Sequence, residues 1–142
     1  MLIIPANTLA EEATNQNGIF GYGHDGSVSS LTNLVSNSGV VASDVTGVGT
    51  ARRSLGACEF GGDKGIFGFG LLQDNTTALS TTNLVSNVGV VASDTTGVGT
   101  ARRELAATQY GEDKAIFGYG STHVSNLVSN TGVVATDVTG VG

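Results

Sequence analysis

GIFGYG at residues 18–23, GIFGFG at 65–70 and AIFGYG at 115–120 are one segment written three times, and they decide how the chain reads. They begin 47 and then 50 residues apart. Two further markers keep step with them: NLVSN begins at Asn33, Asn83 and Asn126, and TGVG begins at Thr46, Thr96 and Thr139. The stretches after the glycine segment, HDGSVSSLT, LLQDNTTALSTT and STHVS, share neither length nor pattern. Fixed apolar segments joined by variable polar connections mark a repeated supersecondary unit whose variation lies on an exposed edge. The 142 residues therefore read as a single repeat domain over 1–142, with units of about 1–50, 51–100 and 101–142.

Each complete unit holds four strand candidates. In the third they are RELAATQY at 103–110, AIFGYG at 115–120, NLVS at 126–129 and GVVATDV at 132–138. Val and Thr are plentiful and helix formers are scarce, which favours strands. The N-x-G links (Asn37 to Gly39, Asn87 to Gly89, Asn130 to Gly132) supply residues that tolerate the positive φ of a tight hairpin. Gly21, Gly68 and Gly118 weaken a strand in isolation and fit where a neighbouring sheet approaches closely. A lone four-stranded sheet cannot bury both faces, so each unit is expected to stack on its copies.

Composition excludes more than it assigns. The apolar fraction of 39% reaches the globular range once the 22 Gly are counted. Runs such as GVVAS and AIFGYG speak against a disordered tract, which could not offset the entropy of folding. With a formal charge of −6 and only two basic doublets, Arg52-Arg53 and Arg102-Arg103, nucleic acid is not an expected partner. Cys58 stands alone, which leaves no intrachain disulfide and no Cys-based metal site, and no cofactor is expected. No apolar run approaches the ~20 residues of a membrane helix, so no membrane partner is expected. The opening MLIIPANTLAEEA lacks a positive region and does not read as a secretory signal. A cytoplasmic or virion-associated location is the expectation.

Two closed all-β architectures use four-stranded units of this size. A β-propeller sets ~4–8 such sheets around a channel, with ~40–50 residues per blade. A β-trefoil uses three such units and is the alternative here. The order of elements resembles the kelch-type propeller blade: AIFGYG as a glycine-ended strand, a variable loop, then TGVG-TARR as the passage into the next unit. The chain departs from that pattern in separating the glycines by an aromatic residue and in lacking Trp. Its tandem IFGYG and NLVSNTGVV units also resemble those of phage or environmental proteins. The resemblance implies an all-β fold of three four-stranded kelch-like blades.

Three blades do not close a ring, because the smallest ordinary propeller has about four. TGVG at 139–142 lacks the TARR that follows it in both earlier units, and PANTLAEEATNQN at 5–17 stands where RRELAATQYGEDK stands later. A second copy is expected to complete the set. The result is half of a six-bladed β-propeller, closed by homodimerisation as a head-to-tail ring.

No constellation marks a catalytic centre. SDTTGVG at 93–99 resembles the Asp-Thr-Gly of aspartic proteases, but an extra residue separates Asp94 from Thr96-Gly97, and three copies stand where two are needed. Asp94 reads instead as capping a turn through its own backbone. The glycines of GIFGYG and GVGTAR lack the following helix that a phosphate loop requires. His24 and His123 lie at corresponding loop positions without convergent ligands, where the second unit has Leu71 or Leu72, and read as solvated histidines. Tyr22, Phe69 and Tyr119 recur within G-[YF]-G and are candidates for packing between blades or for a sugar- or peptide-binding surface. Arg53 and Arg103, with Ala6 at the matching place, are candidates for polar contacts between blades, with Asp63 or Asp113 as partners. Asn75-Thr76-Thr77 is a glycosylation sequon.

The function expected is a non-catalytic structural or binding module, an oligomeric β-propeller presenting its variable loops to a protein or ligand. One alternative is a lectin-like carbohydrate binder. A second is an enzyme whose site forms only at the assembled axis, where His24, Asp25, Asp74 and His123 would converge.

Overall fold

The computed structural model describes residues 16–140, and over them the chain is all-β and antiparallel. β1 (Gly18–His24) pairs with β2 (Val28–Val35). β3 (Gly56–Phe60), β4 (Lys64–Leu71) and β5 (Ala78–Val85) make a second sheet. β6 (Ala106–Tyr110), β7 (Lys114–Gly118), β8 (Val124–Val128) and β9 (Val138–Thr139) make a third. Each pairing joins strands adjacent in sequence, so every sheet is a meander. Among the described residues no helix is long and apolar enough to cross a membrane.

The N-x-G hairpins form where expected. Gly39, Gly89 and Gly132 hold φ of +80°, +80° and +83°. Around the first, Gly39 N–H donates to Ser36 C=O at 2.9 Å and Val40 N–H donates to Ser36 Oγ at 3.1 Å. Two strands differ from expectation. The strand expected over 103–110 begins only at Ala106, because Glu104 sits at φ +58° and turns the chain, as Ser54 does at +54° before β3.

The strand expected over 132–138 is broken. It pairs at Val134 and again over β9, while the first two sheets keep only single bridges at Val41, Val45, Val91 and Thr95. An asparagine side chain enters the ladder at the break. The Nδ2 groups of Asn33, Asn83 and Asn126 donate to the carbonyls of Ala42, Ala92 and Ala135 at 3.1, 3.0 and 2.9 Å. The diverged segment at 5–17 lies almost wholly outside the described residues, as do positions 141 and 142.

The core is divided between the two seams where the sheets face each other. Phe67, Val85 and Val91 fill the first seam with Ile19, Tyr22 and Leu55 from around them. Phe60, Ile66, Phe69, Leu105 and Phe117 fill the second. The glycine segment makes the close approach possible. A methyl group at Gly68 would stand 2.7 Å from Phe117 Cζ, and one at Gly21 would stand 3.0 Å from Phe67 Cζ. Each glycine is thus a hole for the phenylalanine of the next sheet's I-F-G run. A stacked sheet without these holes would be held apart by a full side-chain layer.

Candidate functional site

The G-[YF]-G aromatic carries the first functional consequence of the local fold. Tyr22, Phe69 and Tyr119 adopt φ of +63°, +64° and +59°, a left-handed conformation rare for bulky residues. Strict alternation would point them away from the face that the preceding glycine presents. The register shifts between Gly21 and Gly23, and again between Gly68 and Gly70, turn the ring back onto that face. Glycine floor and aromatic wall together cradle the incoming phenylalanine. Tyr22 meets Phe67 edge-on with centroids 5.2 Å apart, and Phe69 meets Phe117 at the same distance. Such a conformation costs ~1–3 kcal/mol and persists where packing imposes it.

An arginine closes each seam above the aromatic. Arg52 is wholly buried, and its guanidinium carbon lies 4.3 Å from the Tyr22 ring centre. Its Nε donates to Phe69 C=O at 2.8 Å, one Nη to Thr50 C=O at 3.0 Å, and the other to Asn83 Oδ1 at 2.7 Å. Arg102 repeats the arrangement over Phe69 at 4.0 Å, donating to the carbonyls of Tyr119, Thr100 and Phe117. Burial lowers both arginine pKa values, and in Arg52 the neighbouring Tyr22 and Asp94 oppose that shift. Burial likewise raises the Tyr22 pKa against the pull of Arg52.

The threonine two residues earlier is clamped by a carboxylate from the next sheet. Asp94 accepts from Thr50 N–H at 3.0 Å, from Thr50 Oγ1 at 2.6 Å and from Asn83 Nδ2 at 2.9 Å. Asp137 does the same for Thr100 N–H (3.0 Å), Thr100 Oγ1 (2.6 Å) and Asn126 Nδ2 (2.9 Å). For Asp94 burial acts upward, and the hydrogen bonds from Thr50 and Asn83 outweigh it, so its pKa falls below the ordinary carboxylate value. Asp137 is lowered chiefly by Thr100 and Asn126. Asp94 is therefore a clamp between sheets, where the sequence suggested a cap on its own turn.

Each filled seam thus consists of one phenylalanine in a glycine hole and one Gly-Thr-Ala-Arg segment on an Asn–Asp pair. Both outer faces carry halves of the same device. Phe20, the counterpart of buried Phe67 and Phe117, is 68% exposed, and Asn33 and Asp44 form the pair with no such segment on them among the described residues. At the other end, a methyl at Gly118 would meet nothing within 4 Å, and Tyr119 is 46% exposed.

The other sequence candidates fall elsewhere. The seam arginines are Arg52 and Arg102, one position before the expected Arg53 and Arg103. Arg53 reaches Asn75 within its own unit, and Arg103 lies 3.8 Å from Glu104 on the surface. Asp63 and Asp113 pair with the adjacent Lys64 and Lys114 in solvent, where such pairs contribute little. His24 and His123 are exposed, His24 accepting from Gly26 N–H at 3.4 Å. Asp74 is occupied by Thr76 and Thr77 of its own loop. Among the described residues no three His, Cys, Asp or Glu side chains come together as ligands for a cation. A cleft of about 580 Å³ opens at the rim of the first seam, lined by Ile19, Leu34, Val40, Cys58 and Val88 among others.

No family model matches the chain, and no curated protein matches it. Among solved structures it is similar to a fungal alcohol oxidase of the AA5 family, determined with copper. The TM-score is 0.57 at 12% identity, over 84% of this chain and 27% of that one. The chain thus spans about a quarter of that enzyme's length. At this identity the likeness concerns the fold alone.

Proposed function

We propose that the chain is a non-catalytic assembly module. Its three sheets are kelch-like blades, half of a six-bladed propeller closed head to tail by a second copy, which presents the variable loops for interaction with a protein or ligand. The observation that carries this reading is the pair of seam halves left unfilled among the described residues. Phe20 stands 68% exposed on one outer face, and the Gly118 hole stands open on the other. The two filled seams provide the pattern for joining them. A heterologous contact of this kind either closes a ring or propagates, and closure removes the exposed edges.

The test is sedimentation of the wild-type chain beside a Phe20→Asp variant. The proposal expects the wild type to assemble and Phe20→Asp to dissociate it, because a carboxylate cannot enter the apolar hole unpaired. Leu31→Asp, at a 43% exposed position, is the control for an added surface carboxylate. An assembly indifferent to Phe20→Asp would overturn the proposed contact. Copper-dependent alcohol oxidation by the chain would overturn the non-catalytic part. Carbohydrate binding is a second reading, supported by the rings of Tyr110 and Tyr119, 40% and 46% exposed. It requires a glycan-array signal that Tyr119→Ala removes.

A further inference from the structure

We infer that Asn33 and Asp44 form a binding site for a Gly-Thr-x-Arg segment carried by a further unit of this repeat type. The site goes beyond the proposed ring, since it is defined by residues of one sheet and stands whether or not two copies close on each other.

Two filled versions of the site are present in the same molecule. Asn83 and Asp94 hold Gly49-Thr50-Ala51-Arg52, and Asn126 and Asp137 hold Gly99-Thr100-Ala101-Arg102. The unfilled version has the same internal geometry. Asn33 Nδ2 donates to Asp44 Oδ1 at 2.8 Å, against 2.9 Å in both filled pairs, and to Ala42 C=O at 3.1 Å. Among the described residues the receptor is thus formed with no segment on it, which spares the ordering cost of building it on binding. Among the described residues only Asn33 donates to Asp44.

The filled copies also define the ligand chemistry. Glycine is required first, because a Cβ at Gly49 or Gly99 would lie 2.2 Å from the carboxylate oxygen of Asp94 or Asp137. Threonine is required next, because its N–H and hydroxyl both donate to one carboxylate. Arginine is required two positions on. Its Nε reaches the carbonyl of the G-[YF]-G aromatic, Phe69 or Tyr119, and the corresponding carbonyl here is that of Tyr22. In Arg52 one Nη also reaches the asparagine Oδ1. A lysine presents a single point of donation and does not span these acceptors. The continuity with two existing interfaces selects a repeat unit, rather than an arbitrary basic protein, as the occupant.

The experiment titrates a synthetic peptide with the sequence of residues 97–105 (GVGTARREL) into the full chain labelled with ¹⁵N. The side-chain amide of Asn33 is followed by NMR. A saturable shift of that amide is expected. Peptides with Thr or Arg replaced by Ala should bind at least ~tenfold more weakly. Asp44→Ala should abolish the shift while the backbone spectrum stays folded, since Asp44 is exposed. Absence of a saturable shift at Asn33 in the unassembled chain up to several millimolar peptide overturns the inference, as does equal binding of a scrambled basic peptide. The mass of the same sample separates this inference from the ring. A monomer that binds peptide sinks only the ring. In an assembly the second copy covers this face, so the titration is repeated on the Phe20→Asp variant, and an unassembled variant that ignores peptide sinks only the receptor.

Discussion

Replacing Arg52 by Met separates the seam arginine from its neighbour most sharply. Arg52 is fully buried and donates at 2.8 Å to Phe69 C=O and at 2.7 Å to Asn83 Oδ1, both inside the seam. Its third acceptor, Thr50 C=O, is only partly buried and can turn to water. Methionine leaves two buried acceptors unsatisfied, at ~1–3 kcal/mol each, and removes a stacked cation worth up to ~2 kcal/mol. The desolvation cost of the guanidinium is recovered in exchange, which offsets part of the loss. The net is a destabilisation of ~3–5 kcal/mol. Arg53→Met removes only an exposed bond to Asn75 and should cost less than ~1 kcal/mol. With an m-value of ~2 kcal/mol/M the first variant lowers the urea midpoint by ~1.5–2.5 M and the second by under ~0.5 M. Arg52→Lys should recover little of the loss, because one ammonium cannot span the acceptors. Equal midpoints for Arg52→Met and Arg53→Met would refute the placement of the seam network.

Gly68→Ala should destabilise by ~1–3 kcal/mol, because the new methyl meets Phe117 Cζ at 2.7 Å, whereas Gly118→Ala, made in the unassembled Phe20→Asp background, should cost far less with nothing within 4 Å. Urea midpoints of the two variants test the difference. Acid should open the seams. The pKa values of Asp94 and Asp137 are lowered on folding, so their contribution is complete above the unfolded value near ~4 and is lost as pH falls below it. The Asp94→Asn variant should flatten that part of a stability-against-pH profile measured between pH 5 and 2. Burial pushes the Cys58 thiol up to about 11, so a disulfide reagent at pH 8 should react at least ~100-fold more slowly than with free cysteine. A fast reaction in native buffer would contradict the packing around β3.

The parts of the fold set by local chemistry were legible in the residues. The N-x-G turns, the glycine-rich central strand and the all-β character follow from period, turn residues and composition alone. The broken outer strand was not, because the break is made by an asparagine side chain from the neighbouring strand. Nor was the choice between Arg52 and Arg53, which adjacent positions leave open until the turn at Ser54 sets the direction of each side chain. The Asn–Asp pairs were missed altogether. Their signal is present: Asn33 and Asp44, Asn83 and Asp94, and Asn126 and Asp137 each open and close the best-kept run of the repeat, NLVSN-x-GVVA-[ST]-D. Polar residues that recur at both ends of so fixed a run point to a contact. His24 and His123 showed the opposite pattern, recurring in loops of different length with no partner held in step.

Docking of two copies would complete, at the outer sheets, the seam that is repeated twice inside the chain. The molar mass of the wild-type chain, followed by light scattering across a range of concentrations, tests this most directly. A stable species of twice the 14.2 kDa chain, with a folded β spectrum, is expected. A folded 14.2 kDa monomer that persists at high concentration, with Phe20 still exposed, would contradict it.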